Sequence, residues 1–202
     1  MKIILSTRNG EKTKQINAMF AGTDIHILSL EDAEIIGEVE EGIESLEENA
    51  SLKTMFAWRK TSWPDAWTMA DDTGLFIQAL GGEPGVITAD WAGKEVKGAD
   101  LEAFAISKIR SIPEGERSAY WKTVAAVREP SGNLLIFTGE SGGRVIDEPR
   151  GELRPQFPYS RIFVPDDGDG RTWAQMTTEE QNAISHRGKA FEKAREFLLT
   201  RI

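Results

Sequence analysis

The sequence predicts a mixed α/β fold, and three patterns carry this prediction. An apolar run at residues 2–6 is followed by helical periodicity at 11–20, which predicts a strand leading into a helix. Runs at 118–127 and 134–139 flank Pro-Ser-Gly-Asn, which is typical of a β-hairpin. Apolar residues at helical spacing over 185–202 predict a C-terminal helix. Since no linker or repeat interrupts the 202-residue chain, we expect one α/β domain with a mixed sheet.

The remaining elements follow from local signals. Ser45 and Glu48 form a capping-box pattern that predicts a helix to about residue 61. The acidic segment 31–48 is expected to be a solvated loop with a short strand inside it. Residues 75–80 fit either a strand or a short helix. Further strands are expected at 24–30, 66–71, 144–147 and 161–164, and a further helix at 99–111.

Composition restricts the chemistry that is possible. The chain has no cysteine, so thiolate metal sites are excluded, and with only two histidines, His26 and His186, a multi-histidine zinc site is disfavoured. Any metal would be held by carboxylate oxygens, which suits Mg²⁺, with Mn²⁺ as an alternative. The net charge of -9 disfavours binding to a nucleic acid polymer. No apolar run is long enough for a membrane span, and the first residues lack a signal-peptide pattern, so we expect a cytoplasmic protein.

Two motifs lie where a predicted strand ends. Ser6, Thr7, Asn9 and Lys12 surround the first strand-to-helix turn, where hydroxyl, amide and backbone N–H groups can bind phosphate. The alternative is an ordinary turn, because the spacing of a P-loop is absent. The second motif, Ala-Asp-Asp-Thr-Gly-Leu at 70–75, has two carboxylates that suit magnesium or a base that orients water, although a capped turn also fits.

Three further features have both a functional and a structural interpretation. The acidic run between Glu38 and Glu48 is typical of a solvated face, but one carboxylate in it could have a specific role, and Asn49 and Lys53 that follow share a helix face. His186 and Arg187 begin the last helix, where basic residues are unfavourable unless an anion binds there. The aromatic residues at 157–159 could stack on a nucleobase, but core packing is the commoner role.

Taken in order, five motifs resemble the inosine triphosphate pyrophosphatase (ITPase) family. They run over nearly the whole chain, from the first strand to the last helix. The motifs are S-T-x-N-x-x-K at 6–12, E-N-A-x-x-K at 48–53, A-D-D-T-G-L at 70–75, G-G-x-P-G-V at 81–86 and A-I-S-H-R-G-x-A at 183–190. The resemblance implies a single ITPase-like domain over residues 1–202, with a mixed sheet, flanking helices, a long β-hairpin and two lobes around a central cleft.

The resemblance also implies a reaction and a set of roles. Water would attack the α-phosphate of an inosine-, xanthosine- or deoxyinosine-type triphosphate, giving a monophosphate and pyrophosphate and clearing aberrant nucleotides from the pool. Asp72 would activate the water and bind magnesium together with Glu41, and the enzyme would be a homodimer. The implied substrate-binding residues are Thr7, Arg8, Asn9, Gly10, Glu11, Lys12, Lys53, Thr73, Phe157, Tyr159, Ser160, Gln181, His186 and Arg187.

The sequence departs from the family where the base would be recognised. The family's G-F-G-Y-D-P is Gln-Phe-Pro-Tyr-Ser-Arg at 156–161, the family's lysine in E-E-K-x-A-I-S-H-R is Gln181, and its S-A-R is Thr-Ala-Asp at 88–90. We therefore hypothesise that Arg161 or Gln181 contacts a different or modified base. The alternatives are a pyrophosphatase of the same fold for a pyrimidine or modified nucleotide, and a nucleotide-binding protein without turnover.

Overall fold

The computed structural model describes residues 1–202 and contains five α-helices and seven strands. The strands are β1 (Lys2–Leu5), β2 (His26–Leu28), β3 (Trp67–Ile77), β4 (Pro84–Gly85), β5 (Ser118–Arg128), β6 (Leu134–Val145) and β7 (Phe163–Pro165). The helices are α1 (Gly10–Phe20), α2 (Leu46–Lys60), α3 (Gly98–Ile109), α4 (Thr178–Ile184) and α5 (His186–Leu199). None of the helices is long and apolar enough to cross a membrane.

The strands form one mixed sheet, as the sequence predicts. Its order is β2-β1-β3-β5-β6-β7, and β4 pairs with β3 outside this path. Strand β1 runs parallel to both β2 and β3, whereas β4 is antiparallel to β3 and β7 is antiparallel to β6. The predicted α/β class is confirmed.

Two compact units divide the chain. Unit 1 comprises residues 1–73, 123–139 and 187–202, and unit 2 comprises residues 74–122 and 140–186. Strands β3, β5 and β6 each contribute residues to both units. The predicted single domain and central cleft stay predictions.

Unit 1 buries both faces of β1, because successive side chains of a strand point to opposite faces. Ile3 and Leu5 pack in a cluster with apolar residues of α1 and α5, among them Ile16 and Phe191. Ile4 packs instead in a second cluster, which contains Ala57 of α2. The polar residues of β3 therefore meet α1 and α5 on one face and α2 on the other.

Unit 2 has its own core. Apolar residues of α3, including Leu101 and Ile109, pack with Leu75 of β3 and Phe163 of β7. Trp121 and Trp173 belong to the same cluster and are less than a tenth exposed.

The structure differs from the sequence prediction at four places. The strand predicted at 144–147 is the end of the long strand β6, and the strand expected within 31–48 is absent. Residues 75–80 are divided, since β3 continues to Ile77 and a 3₁₀ turn follows. Helix α4 was not predicted, although Thr177 and Glu180 form a reciprocal capping box at its start.

Candidate active site

Asp71 and Asp72 are adjacent in β3 and therefore point to opposite faces of the strand. Both are buried, with 2% and 7% of their surface exposed. A buried carboxylate is costly unless cations or hydrogen-bond donors accompany it. Each aspartate has its own set of such partners, and both sets lie in unit 1.

Asp71 is surrounded by residues of α1, α5 and its own strand. Its Oδ2 accepts hydrogen bonds from Lys12 Nζ at 3.0 Å and Thr73 Oγ1 at 3.1 Å, and Arg187 Nε lies 3.5 Å away. Arg187 also donates to Gln15 Oε1 at 2.9 Å. Thr73 shares a 2.8 Å hydrogen bond with the Thr123 hydroxyl. Two cations from distant parts of the chain thus converge on one buried carboxylate.

The electrostatics of this group keep Asp71 ionised. Burial alone would raise the pKa of Asp71, but Lys12, Arg187 and Lys53 outweigh it and hold that pKa well below the usual range. Burial lowers the pKa of Lys12, and Arg187 adds to this effect while Asp71 opposes it. A further anion would relieve the crowding of positive charge, so this group is suited to bind phosphate.

Asp72 is surrounded by residues of α2 and the acidic loop. Its Oδ1 accepts from Lys53 Nζ at 2.8 Å, and its Oδ2 accepts from Asn49 Nδ2 at 3.0 Å. Lys53 also contacts Glu41 Oε2 at 2.8 Å. The Asn49 side chain bonds the backbone N–H and C=O of Gly42, which fixes the loop that carries Glu41.

Asp72 is the more easily protonated of the two aspartates. Burial raises its pKa, and Lys53 and Asn49 offset only part of that rise. Burial lowers the pKa of Lys53, but Asp72 and Glu41 outweigh it, so the pKa of Lys53 is raised. A carboxylate with a raised pKa can accept a proton from water more readily than an ordinary one.

The donor set beside Lys53 fits a hard divalent cation. Glu41 and Asp72 each place a carboxylate oxygen 2.8 Å from the same ammonium nitrogen, so one positive charge already lies between them. No group of three or more acidic, histidine or cysteine side chains is arranged to hold a metal ion. Magnesium is commonly held in this way, by one or two carboxylates with substrate phosphates and water completing its shell.

The N-terminal loop residues have several different roles. Asn9 caps α1, because its Oδ1 accepts from the N–H groups of Glu11 and Lys12, and Asn9 N–H donates to Thr7 Oγ1. Arg8 turns toward the acidic loop and donates to the carbonyls of Ile35 and Gly37 at 3.2 and 2.9 Å. Gly10 is the first residue of α1, and Glu11 pairs with Lys14 at 2.8 Å. Lys12 is the residue of this loop that pairs with Asp71.

The predicted base-binding residues lie in unit 2, around a cluster of rings. We define the aromatic cluster as Trp121, Tyr159, Phe163, Trp173 and His186. His186 stacks on Trp121 with ring centroids 5.2 Å apart and packs against Trp173 at 4.8 Å. His186 is 4% exposed.

The loop at 156–161 also packs inward. Tyr159 is buried and its hydroxyl donates to Thr88 O at 2.7 Å, which agrees with the core-packing interpretation of this aromatic residue. Phe157 is only partly buried, and Ser160 is buried beside Tyr159. Arg161 pairs with Glu102 of α3 at 3.2 Å. Gln181 donates through its amide nitrogen to the carbonyls of Trp173 and Met176 at 2.8 and 3.1 Å.

Comparison with known proteins identifies the family. A model of the Ham1 family matches residues 3–197. The chain belongs to the Ham1 family. A dITP/XTP pyrophosphatase from Thermoanaerobacter sp. (strain X514) is 38% identical over 202 residues, which cover 100% of this chain and 98% of the relative. One from Geobacter sulfurreducens is 36% identical over 197 residues, with 98% and 96% covered.

Solved Ham1 structures share the fold. A HAM1 protein from Coxiella burnetii has a TM-score of 0.85 at 29% identity, and the Staphylococcus aureus Ham1 protein has a TM-score of 0.83 at 28% identity. Each comparison covers 100% of both chains. The family resemblance drawn from the five motifs is therefore confirmed.

In this Ham1-family chain, sequence reasoning missed three polar residues of the site. Asp71 was part of the two-carboxylate motif but not among the implied site residues, although strand alternation requires that adjacent carboxylates serve different faces. Asn49 shares a face of α2 with Lys53, and this spacing was noted without a role for the amide. Gln15 lies three residues after Lys12 on α1, which places it on the same helix face.

Proposed function

We propose that this chain hydrolyses nucleoside triphosphates of the dITP/XTP type to a nucleoside monophosphate and pyrophosphate. One observation carries the proposal: Lys12, Lys53 and Arg187 converge on two buried, adjacent aspartates in unit 1. This arrangement belongs to a chain that resembles dITP/XTP pyrophosphatases over its full length.

The cations would hold the triphosphate. Phosphoryl transfer depends mainly on positioning and on neutralising the charge of the phosphate oxygens. Lys12 and Arg187 are fixed by Asp71, so their positions do not have to be organised when substrate binds. Lys53 would provide the third positive charge from the opposite face of β3.

Asp72 would serve as the base. It would accept a proton from the water that attacks the α-phosphate, as the P–O bond to the departing pyrophosphate breaks. Its raised pKa supports this assignment, and Asn49 and Lys53 fix the orientation of its carboxylate.

Glu41 and Asp72 would hold a magnesium ion. When bound, the ion would neutralise charge on the phosphate oxygens and lower the pKa of bound water. Mn²⁺ would fit the same oxygen donors.

The remaining assignments concern the base, the assembly and the location in the cell. Phe157, Ser160, Gln181 and His186 would surround the nucleobase, with Tyr159 supporting them from the core. We also propose a homodimer, which the family resemblance implies, and a cytoplasmic location, which the sequence pattern favours.

The test is pyrophosphate release with magnesium across a panel of nucleoside triphosphates. The panel contains the inosine, deoxyinosine and xanthosine triphosphates, the common four and several modified pyrimidine nucleotides, and Asp72→Asn serves as the inactive control. We expect the largest kcat/KM for the inosine or xanthosine type.

Two other outcomes would each select a different function. Release confined to a pyrimidine or modified nucleotide would keep the reaction and change the substrate, and this alternative is motivated by the unusual residues Ser160 and Gln181. Nucleotide binding without any release would identify a binding protein and contradict the proposal.

A further inference from the structure

Unit 2 contains buried polar atoms that have no hydrogen-bond partner. Folded proteins satisfy roughly 90% or more of their buried polar groups, so each exception needs an explanation. Among the atoms of this kind in unit 2 are Glu102 Oε2, Trp121 Nε1, Ser160 Oγ, Arg161 Nε and Trp173 Nε1. Leaving them unpaired would cost free energy, whereas a bound ligand could pair with them.

These atoms are close to one another. Ser160 and Arg161 follow Tyr159 directly, and the Tyr159 ring lies 5.8 Å from that of Trp121. The Trp121 and Trp173 rings are also 5.8 Å apart. The unpaired atoms therefore extend from the aromatic cluster to the ion pair between Arg161 and Glu102.

That ion pair presents one acceptor and one donor. The contact between Arg161 Nη1 and Glu102 Oε1 is 3.2 Å, which leaves Glu102 Oε2 and Arg161 Nε for another partner. The Glu102 side chain is only 6% exposed, while that of Arg161 is 26% exposed, so solvent reaches the arginine. Burial raises the pKa of Glu102, although Arg161 opposes the rise, so an N–H donor on Oε2 would stabilise the charged form.

We propose that Glu102 and Arg161 determine base specificity by pairing with the lactam edge of a 6-oxopurine. Glu102 accepts the ring N–H and Arg161 donates to the adjacent carbonyl. This inference rests on the proposed function, since it assumes that the base of a nucleotide reaches unit 2. Adenine reverses both groups on that edge, because its ring nitrogen accepts and its amino group donates.

The test compares dITP and dATP, which differ only on this edge. The measured quantity is the ratio of kcat/KM for dITP to that for dATP, in the wild type and in Glu102→Gln, which can donate where Glu102 accepts. We expect the ratio to fall at least about tenfold, because a mismatched hydrogen bond discriminates strongly between substrates.

Two variants separate specificity from folding. Arg161→Lys retains the positive charge but lacks Nε–H, and we expect it to lower the ratio as well. Asp147→Asn is the matched control, since it removes the charge of a carboxylate that pairs with Arg117 in the same unit. The control should leave the ratio within about twofold, which corresponds to a few tenths of a kcal/mol.

The outcomes distinguish this inference from the proposed function. If Glu102→Gln and Arg161→Lys lower kcat/KM for both nucleotides equally, or leave both unchanged, the pair is structural or bound to water only, and the inference is wrong. If the wild type releases no pyrophosphate from any nucleotide, the proposed function fails. In that case, the dissociation constants of dITP and dATP are measured in the Asp72→Asn background, with and without Glu102→Gln. If Glu102→Gln leaves the ratio of these two constants unchanged, the inference is wrong.

Discussion

The charged site of unit 1 and the aromatic cluster of unit 2 satisfy their buried polar groups differently. At the charged site of unit 1, Lys12 and Lys53 each pair with an aspartate of β3, and of the four oxygens of these two carboxylates only Asp71 Oδ1 lacks a partner. In unit 2, Trp121, Trp173 and Ser160 all have buried polar atoms without partners. The first region is therefore organised before substrate binds, whereas the second leaves donors and acceptors for a ligand to fill.

The largest effect that we expect is on catalysis in unit 1. Asp72→Asn should lower kcat by about 10²–10⁴-fold, because an amide cannot accept the proton of the attacking water. Pyrophosphate release under saturating substrate measures it. Asp65→Asn, which changes an exposed carboxylate, is the control and should retain wild-type activity. Equal activities of both variants would remove Asp72 from the reaction.

The next effect is on stability. Asp71→Asn should lower the free energy of unfolding by about 3–5 kcal/mol, because Lys12 and Arg187 are left as buried cations without a carboxylate. Urea denaturation at neutral pH measures this loss. The double variant Lys12→Met with Asp71→Asn should recover part of it, since one of the cations is then absent. A double variant no more stable than Asp71→Asn would show that Lys12 is not part of the cost.

A smaller effect is expected for the ring that supports the aromatic cluster. Tyr159→Phe should cost about 1 kcal/mol of unfolding free energy, because the hydroxyl bonds the buried carbonyl of Thr88. The ranking of nucleotide substrates should not change, since Tyr159 is a core residue. Tyr120→Phe is the control, because it also removes a hydroxyl but keeps the ring, which stacks on Phe76 with centroids 4.9 Å apart. A changed ranking in Tyr159→Phe would instead give this residue direct contact with the base.

The smallest effect concerns pH and unit 2. Hydrogen bonds from Arg117, at 2.7 and 3.2 Å, lower the pKa of Asp147. A lowered folded-state pKa contributes stability above the ordinary range of an aspartate, and this contribution is lost as the pH falls through the folded pKa. Asp147→Asn should therefore lower the urea midpoint at pH 7 but lower it less near pH 3. An equal loss at both pH values would show that the charge of Asp147 is irrelevant.

Polar motifs made much of the unit 1 site predictable from sequence. Lys12, Asp72 and Arg187 were selected because polar residues at strand and helix ends suit phosphate or metal binding, whereas the role of Lys53 came from the family resemblance. Their division between two faces was not predicted, since it depends on β3 continuing through Asp71 and Asp72 to Ile77. For this reason Asp71 was given no role separate from that of Asp72.

One of the fold errors lies at a pair of glycines. Gly142 and Gly143 lie between the strands predicted at 134–139 and 144–147, and the structure joins these into the single strand β6. In the structure, a side chain at Gly143 would collide with the carbonyl of Val164 and the ring of Phe163, so the glycine permits close approach of β7. Whether a strand glycine marks a turn or a close contact depends on its tertiary neighbours, which the local sequence does not contain.

The aromatic cluster shows the same limit. Trp121, Phe163 and Trp173 come from separate segments of the chain, and each resembles an ordinary core residue in its local sequence. Glu102 is one of the acidic residues on a helix and has no local feature that indicates burial. The unpaired polar atoms of Trp121, Trp173 and Glu102 are recognised only when the surroundings of each atom are known.

The alternation of Asp71 and Asp72 in β3 also limits how this protein can evolve. Inserting or deleting one residue before Asp71 would exchange the two carboxylates between the faces of the strand. Lys12 and Lys53 would then both lose their aspartate partners. A change of two residues would preserve the faces and only shift the aspartates along the strand. We therefore expect β3 to tolerate substitutions outside the two aspartates, but not insertions or deletions of an odd number of residues.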